Sequence, residues 1–308
     1  MKKVVSLIQF LFFAILMLQV SGLMAAEKGG KKKRIAVFEF QDKTDHRVMW
    51  WTGQGPGRGM ADMLITELVK TGKYTVIERT ALDKIMQEQK LGMSGLVTPQ
   101  TAAQAGKLLG VEIAVIGTVT EFGHSKGDVG GTAKGIGVGV SSQTVTVAVD
   151  VRLVNTTTGE ILSAENIRRE KKKRGLSFRK EGLSFNNRNK FDQSLIGKAT
   201  RQAIEDIMKI VDDKSSNMKW QGKIVKVSGG TIIINAGSAN GVKVGDVFTV
   251  YRPGEELIDP DTGLSLGSEE EKVGQIKVTS NSVGKGKASK CSIVSGSGFS
   301  RSDIVRDK

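Results

Sequence analysis

The chain has 308 residues, 39% hydrophobic and 25% charged, a composition that excludes global disorder and suits two domains. Its net charge of +14 would point to nucleic acid in a cytosolic protein, and its single cysteine, Cys291, excludes an intrachain disulfide.

Compartment is read from the first segment. Met1-Lys2-Lys3 is a positive start, and Val4 to Val20 is an apolar run interrupted only by Ser6, Gln9 and Gln19. Gly22-Leu23-Met24-Ala25-Ala26 then offers the small residues of a cleavage site. This three-part layout predicts a signal peptide over 1–26, with Glu27 as the mature N-terminus. A retained anchor is the alternative, but the uninterrupted apolar part is short for a span of ~20 residues. No cysteine follows the apolar run, so the expectation is an exported chain that is not a lipoprotein, in the periplasm or at the outer membrane. Export removes the charge from nucleic acid. The clusters Lys31 to Arg34 and Arg168 to Arg174 are then read against anionic lipid head groups, lipopolysaccharide or an acidic partner, or as solvated charge with no partner.

Past a Gly/Lys spacer, Arg34 to Phe40 reads as a buried strand and Gln41 to Gly57 as a polar and aromatic loop. Met60, Met63, Leu64, Leu68 and Val69 have helical spacing over 58–70, with Gly72 as the C-terminal stop. Tyr74 to Ile77 is a short strand. Thr80 is placed to cap a helix running to Gln89, and Thr98-Pro99 opens another running to Leu109. Val111 to Val119 is nearly all apolar and predicts a central strand. Val145, Val147, Val149, Val151 and Leu153 alternate with mostly polar residues, and Asn155 to Gly159 turns the chain into a second arm over 160–169. A helix is expected over 192–211, with Leu195, Ile196, Ala199, Ala203, Ile204, Ile207 and Ile210 as its stripe. After a polar linker at 213–219, short strands at 220–227, 231–235, 247–251, 273–279 and 288–294 are separated by Gly, Asn, Asp and Ser, the pattern of a small β-barrel.

Five segments, taken in order, resemble the CsgG family of curli secretion components. They are Ile35-Ala-Val-Phe-Glu-Phe-Gln-Asp-Lys-Thr44, Ala61-Asp-Met-Leu-Ile-Thr-Glu-Leu68, Ile77-Glu-Arg-Thr-Ala-Leu82, Ala105 to Glu112 with Val115-Ile-Gly-Thr118, and Val151 to Ile161. The last segment resembles the terminal domain of FlgT, a periplasmic flagellar-ring protein, through Gly222-Lys-Ile-Val225, Ile234-Asn-Ala-Gly237, Asn240 to Phe248 and Gly274-Gln-Ile276. There Gly241 and Gly245 are expected at positive φ. The resemblances imply an α+β chain: a CsgG-like α/β domain at 34–212, with a mixed sheet and β-hairpin extensions, followed at 220–308 by a FlgT-like β-barrel domain.

Catalysis has no foothold in the sequence. His46 and His124 lie in separate loops, and no nucleophile sits at a recognisable spacing. Gly135-Ile-Gly-Val-Gly139 leads into a strand instead of a helix, which leaves it without the helix start a phosphate site needs. Asp42, Asp45 and His46 are read as a metal set or, equally, a polar turn. The expectation is therefore a non-enzymatic chain with no catalytic residue, cofactor or metal.

The resemblance implies a homo-oligomer serving export of a polypeptide or periplasmic assembly. In it Met49, Trp50, Trp51 and Gln54 fall where CsgG places its channel-narrowing loop; the alternative is that the tryptophans cover the core. Two segments correspond to the family's membrane hairpins. The first, Gly130 to Val149, carries Ile136, Val138 and Val140 on one arm and Val145 and Val147 on the returning one. The second, Arg168 to Asn189, carries Leu176, Phe178, Leu183 and Phe185, too few for a spanning strand of ~9–11 residues with an apolar face. Its basic stretch, Arg169, Lys171, Lys172, Lys173 and Arg174, is expected to contact an anionic surface instead. The competing functional reading is a soluble periplasmic structural or regulatory protein comparable to FlgT or to the LpoB activators of peptidoglycan synthesis.

Overall fold

The structure is a computed structural model and describes residues 30–44, 55–78, 98–99, 101–102, 110–133, 136–174, 188–260 and 265–307. Lys32–Lys308 form one compact unit, and Met1–Lys31 another of which only residues 30 and 31 are described. The expected signal peptide, the loop residues Met49, Trp50, Trp51 and Gln54, the helix from Thr80, and Leu176, Phe178, Leu183 and Phe185 all lie outside the described residues.

Strands β1 (Lys33–Val37), β2 (Gln41–Asp42), β3 (Tyr74–Val76), β4 (Ile113–Ala133), β5 (Ile136–Asn155) and β6 (Ile161–Arg174) make the first sheet, in the order β3-β1-β4-β5-β6 with β2 beside β4. The sheet is mixed. β1 runs parallel to β3 and β4, and β2 to β4, while β4, β5 and β6 form an antiparallel meander. The turn into β6 is the one read from Asn155 to Gly159: Asn155 Oδ1 accepts the Thr157 amide at 2.9 Å, and Gly159 takes φ +79°.

Helices α1 (Pro56–Thr71) and α3 (Leu195–Ser216) follow from periodic apolar positions, and the short α2 (Arg188–Gln193), with Phe191 as its one apolar residue, precedes α3. Pro56 starts α1, and Gly72 ends it in the left-handed region at φ +65°, donating to the Val69 carbonyl at 3.1 Å. α3 buries Ile196, Ala199, Ala203, Ile204, Ile207 and Val211 along one stripe. That stripe meets Ile35, Val37, Ile113, Val115, Val149, Val151 and Leu153 of the sheet together with Leu64 and Leu68 of α1. The single helix expected over 192–211 is in fact broken at its start. Ser194 donates to the Phe191 carbonyl at 2.6 Å and accepts the Gly197 amide at 3.0 Å, closing α2 and capping α3. At the other end α3 runs on to Ser216, into the polar stretch read as a linker.

The first hairpin also differs from its reading. Its turn lies between Ala133 and Ile136, so β5 is one strand of 20 residues and its partner arm is β4. Val145 and Val147, expected on a membrane-facing returning arm, are therefore on the same strand as Ile136, Val138 and Val140. They are 3% and 0% exposed in the core of the sheet and helices, which removes them from any lipid face.

Strands β7 (Gln221–Ser228), β8 (Thr231–Ile234), β9 (Val247–Ile258), β10 (Ser265–Ser282), β11 (Ala288–Gly296) and β12 (Ile304–Arg306) close into a barrel in the order β10-β11-β8-β7-β12-β9. Five of these are the strands read from the sequence. The sixth, three residues long, is too short to show alternation, yet it pairs with both β7 and β9 and completes the ring. Trp220 packs on Phe248 with ring centroids 5.3 Å apart, above Ile224, Ile232, Val250, Ile276 and Val305. Cys291 sits in this core, where burial pushes its thiol pKa up to about 12, so it is an inert packing residue. Gly241 and Gly245 take φ +80° and +92°, as expected.

Candidate functional site

β4 and β5 run well past the helix-covered part of the sheet, and their far ends pair with each other as a hairpin. Along β5 the residues packed against α1 and α3 are Val145, Val147, Val149, Val151 and Leu153. In the sequence Ile136, Val138 and Val140 alternate out of phase with those five. The register sets Ala133, Gly131 and Val129 of β4 directly across from them. Gly137, Gly139 and Ser141 pair with Thr132, Gly130 and Asp128. The apolar positions thus change phase between Val140 and Val145, across Ser141-Ser142-Gln143-Thr144. The glycine-rich stretch Gly135 to Gly139 belongs to this hairpin and leads into strand, as its reading required.

Where that change occurs, β6 brings up its basic residues. Arg174 pairs with Ser142, Lys173 with Gln143, Lys172 with Thr144 and Lys171 with Val145. β6 is the edge of the sheet, and among the described residues no strand pairs with its outer side. Arg169 on the helix side is ion-paired with Asp206 of α3, and Arg168 on the other with Glu121 of β4. Lys172 reaches Glu170 at 3.0 Å and stays 71% exposed. Five cations in six positions, anchored at one end by acidic neighbours, make a band across the base of the projecting hairpin.

At the opposite end of the sheet a buried carboxylate joins the two folds. Glu112, just before β4, is 5% exposed. Its Oε2 accepts the Arg34 amide at 2.8 Å, and its Oε1 accepts the amide of Gln221, the first residue of β7, at 3.3 Å. The Lys32 amide donates to the Asn240 carbonyl at 2.8 Å, and Asn240 Nδ2 donates to Thr75 Oγ1 at 3.0 Å. Burial raises the Glu112 pKa, opposed by the two backbone donors and by the charges of Lys33 and Arg34. Sequence reasoning passed over this residue, although it is the one charge in the run from Val111 to Val119.

The expected absence of metal-binding chemistry was argued from Asp42, Asp45 and His46. Asp42 Oδ1 accepts the Thr44 amide at 3.0 Å and the Thr44 hydroxyl at 2.7 Å, the polar-turn alternative, while Asp45 and His46 lie outside the described residues. Among the described residues no group of three His, Cys, Asp or Glu side chains converges on a metal position, and no helix is long and apolar enough to cross a membrane.

Residues 18–235, well over half the chain, match the family model of the curli production assembly/transport component CsgG. The match runs through β8 and stops there, so most of the barrel lies beyond it. A protein of Neisseria meningitidis serogroup B whose name proposes that it is a lipoprotein is 33% identical over 164 residues, 52% of this chain and 65% of that protein. The curli production assembly/transport component CsgG of Escherichia coli K12 is 32% identical over 110 residues, 34% of this chain and 40% of that protein. The chain thus spans less than two thirds of each of these relatives. A hypothetical protein of Chlamydia trachomatis of known structure aligns over 60% of this chain and 99% of its own, with a TM-score of 0.41 and 13% identity.

Proposed function

This chain belongs to the CsgG family, and from that premise we propose that it is a non-enzymatic periplasmic or outer-membrane component of an export or surface-assembly system. It meets the membrane with the outer half of the β4–β5 hairpin and the basic edge of β6. The observation that carries this reading is the change in phase of the apolar positions along β5. A strand that only had to cover the core would keep its apolar residues on the helix side to its end. Here the apolar positions of the sequence shift phase beyond Gln143, and Ile136, Val138 and Val140 are in register with Ala133, Gly131 and Val129 of β4. One apolar and one Gly/polar face is the pattern of a strand pair between lipid and a polar lumen. Six residues per strand span ~20 Å at ~3.4 Å each, less than a hydrocarbon thickness of ~30 Å, so the hairpin of one copy enters the bilayer and the basic band rests at the head groups.

In this reading copies of the chain assemble around a common axis, and the loop with Met49, Trp50, Trp51 and Gln54 narrows the path of an exported polypeptide. The chain is exported by its signal and carries no lipid. The Neisseria relative's name points the other way on that last feature, and mass measurement of the exported protein decides it.

The main test is flotation of the purified protein with vesicles of phosphatidylethanolamine and phosphatidylglycerol. Two components of binding are expected. A salt-sensitive one is lost on replacing Lys171, Lys172 and Lys173 by Gln, and a salt-resistant one on replacing Ile136 and Val138 by Asp. Binding that neither set of substitutions alters, or no binding to anionic vesicles, rules the proposal out.

A further inference from the structure

The barrel carries an arm that its own fold does not cover. β12 pairs with β9 only as far as Tyr251, and β11 with β10 only from Gly274 onward. Among the described residues, 252–258 of β9 and 265–273 of β10 therefore pair only with each other, as a two-stranded ribbon beyond the barrel wall. A lone two-stranded ribbon is marginal in water. This one also exposes Leu257, Ile258 and Leu266 near its tip, at 47%, 52% and 64%. Its base is fixed: Arg252 Nη2 lies 2.9 Å from Asp303, and Arg306 Nη2 donates to Glu270 at 2.7 Å. The arm is held out, and its end has no cover among the described residues.

Charge is divided sharply within this module. Residues 252–273 hold seven carboxylates and two cations, whereas the rest of 220–308 holds ten cations and three carboxylates. The seam opposite β9 and β10 around the ring is that of β7 and β8. There the register lines up Lys226, Ile233 and Lys290 across β7, β8 and β11, with exposed Val225 and Lys223 beside them. One side of the barrel is thus an acidic arm with an apolar tip, and the far side a basic wall with apolar residues between the lysines.

We propose that the arm of one copy docks on the β7–β8–β11 wall of a second copy. A surface complementary to one on the opposite side of the same molecule makes a head-to-tail contact, which chains copies into a ring or a filament. Docking covers the leucines and isoleucine of the tip against Val225 and Ile233 and sets Glu255 and Glu269 against Lys223, Lys226 and Lys290. Like-charged walls repel one another, which selects arm-to-wall over wall-to-wall pairing. The arm and Lys290 lie beyond the residues matched to the CsgG family, whereas Lys223, Val225, Lys226 and Ile233 lie within them, and the contact stands independently of whether the sheet domain touches a membrane.

The test uses the full exported chain and reads this contact alone. A Leu257→Cys copy is mixed with a Val225→Cys copy and treated with a short bismaleimide; native Cys291, 1% exposed, does not react. A mixed cross-linked dimer is expected. Glu255→Lys with Glu269→Lys, or Lys223→Glu with Lys226→Glu, should each weaken association at least about tenfold. The arm-reversed and wall-reversed copies mixed together should pair again while neither pairs with itself, because the reversed arm meets the reversed wall and the unchanged arm meets the unchanged wall. That pairing also shows that both variants fold. No mixed cross-link, cross-links only between identical positions, or single reversals that leave the mixed cross-link unchanged would each overturn the proposal, whether the unmet partner is a lipid surface or another protein.

Discussion

The two halves of β5 use the same alternation for different ends. From Val145 to Leu153 every second residue is apolar and buried under α1 and α3, so that half is held by packing within the chain. From Ile136 to Val140 every second residue is again apolar but in the opposite phase, in register with Ala133, Gly131 and Val129 of the neighbouring strand. Period two says that a segment is a strand; parity says what the strand is for. A one-residue change of phase moves the whole apolar set to the other side, and within this strand that change divides folding from recognition.

The largest expected effect tests that division directly. Leu153 is 0% exposed in the sheet–helix core, so Leu153→Ala should cost about 2–5 kcal/mol in urea unfolding. Ile136→Ala, on the same strand, should change stability by less than about 0.5 kcal/mol. Equal losses at the two positions would mean that the outer half is covered by the protein's own core, and the proposed membrane contact would fail with it.

The second effect tests the junction at the other end of the sheet. Glu112 accepts backbone amides from both folds, and in Glu112→Gln one of those buried donors loses its acceptor, a cost of about 1–3 kcal/mol. Its pH dependence has a definite sign. Burial raises the folded pKa above the ordinary value of 4.5, so the folded state holds the proton more tightly than the unfolded one. The corresponding stability is fully present below 4.5 and is lost as pH rises through the folded value. The advantage of the wild type over Glu112→Gln should therefore shrink between pH 4 and pH 7. An advantage that grows over that range would mean that Lys33 and Arg34 outweigh the burial.

These contrasts also explain what the sequence could reveal. Elements whose apolar residues repeat over several turns or alternations were legible: α1, the stripe of α3, the inner half of β5, and five barrel strands. β12 was not, because Ile304-Val305-Arg306 carries too short a pattern. Ser194 was not, because a capping serine inside a helical stripe leaves the periodicity intact while breaking the helix. The hairpin was misread for a further reason. Val145 and Val147 alternate in phase with each other but out of phase with Ile136 to Val140, a mismatch that suggests two arms although both sets lie on one strand. The acidic arm was legible in principle, since Glu255-Glu256 and Glu269-Glu270-Glu271 stand out in a chain of net charge +14, but only the barrel order shows that a basic wall lies opposite.

The smallest expected effect on stability is at the basic edge. Replacing Lys171, Lys172 and Lys173 by Gln removes the exposed ion pair of Lys172 with Glu170, worth about 0–1 kcal/mol, and also relieves repulsion among neighbouring cations. The two terms oppose each other, so unfolding should move by less than about 0.5 kcal/mol. The consequence should appear elsewhere. β6 is an edge strand of 14 residues, and lysines on such an edge keep it from pairing with its like. Light scattering of the triple variant should therefore rise with protein concentration at low salt, where the wild type stays clear, and raising the salt should bring the wild type toward the variant as its charges are screened. If stability falls by several kcal/mol instead, the lysines hold the sheet together, and the division between a folding half and a recognition half would have to exclude β6.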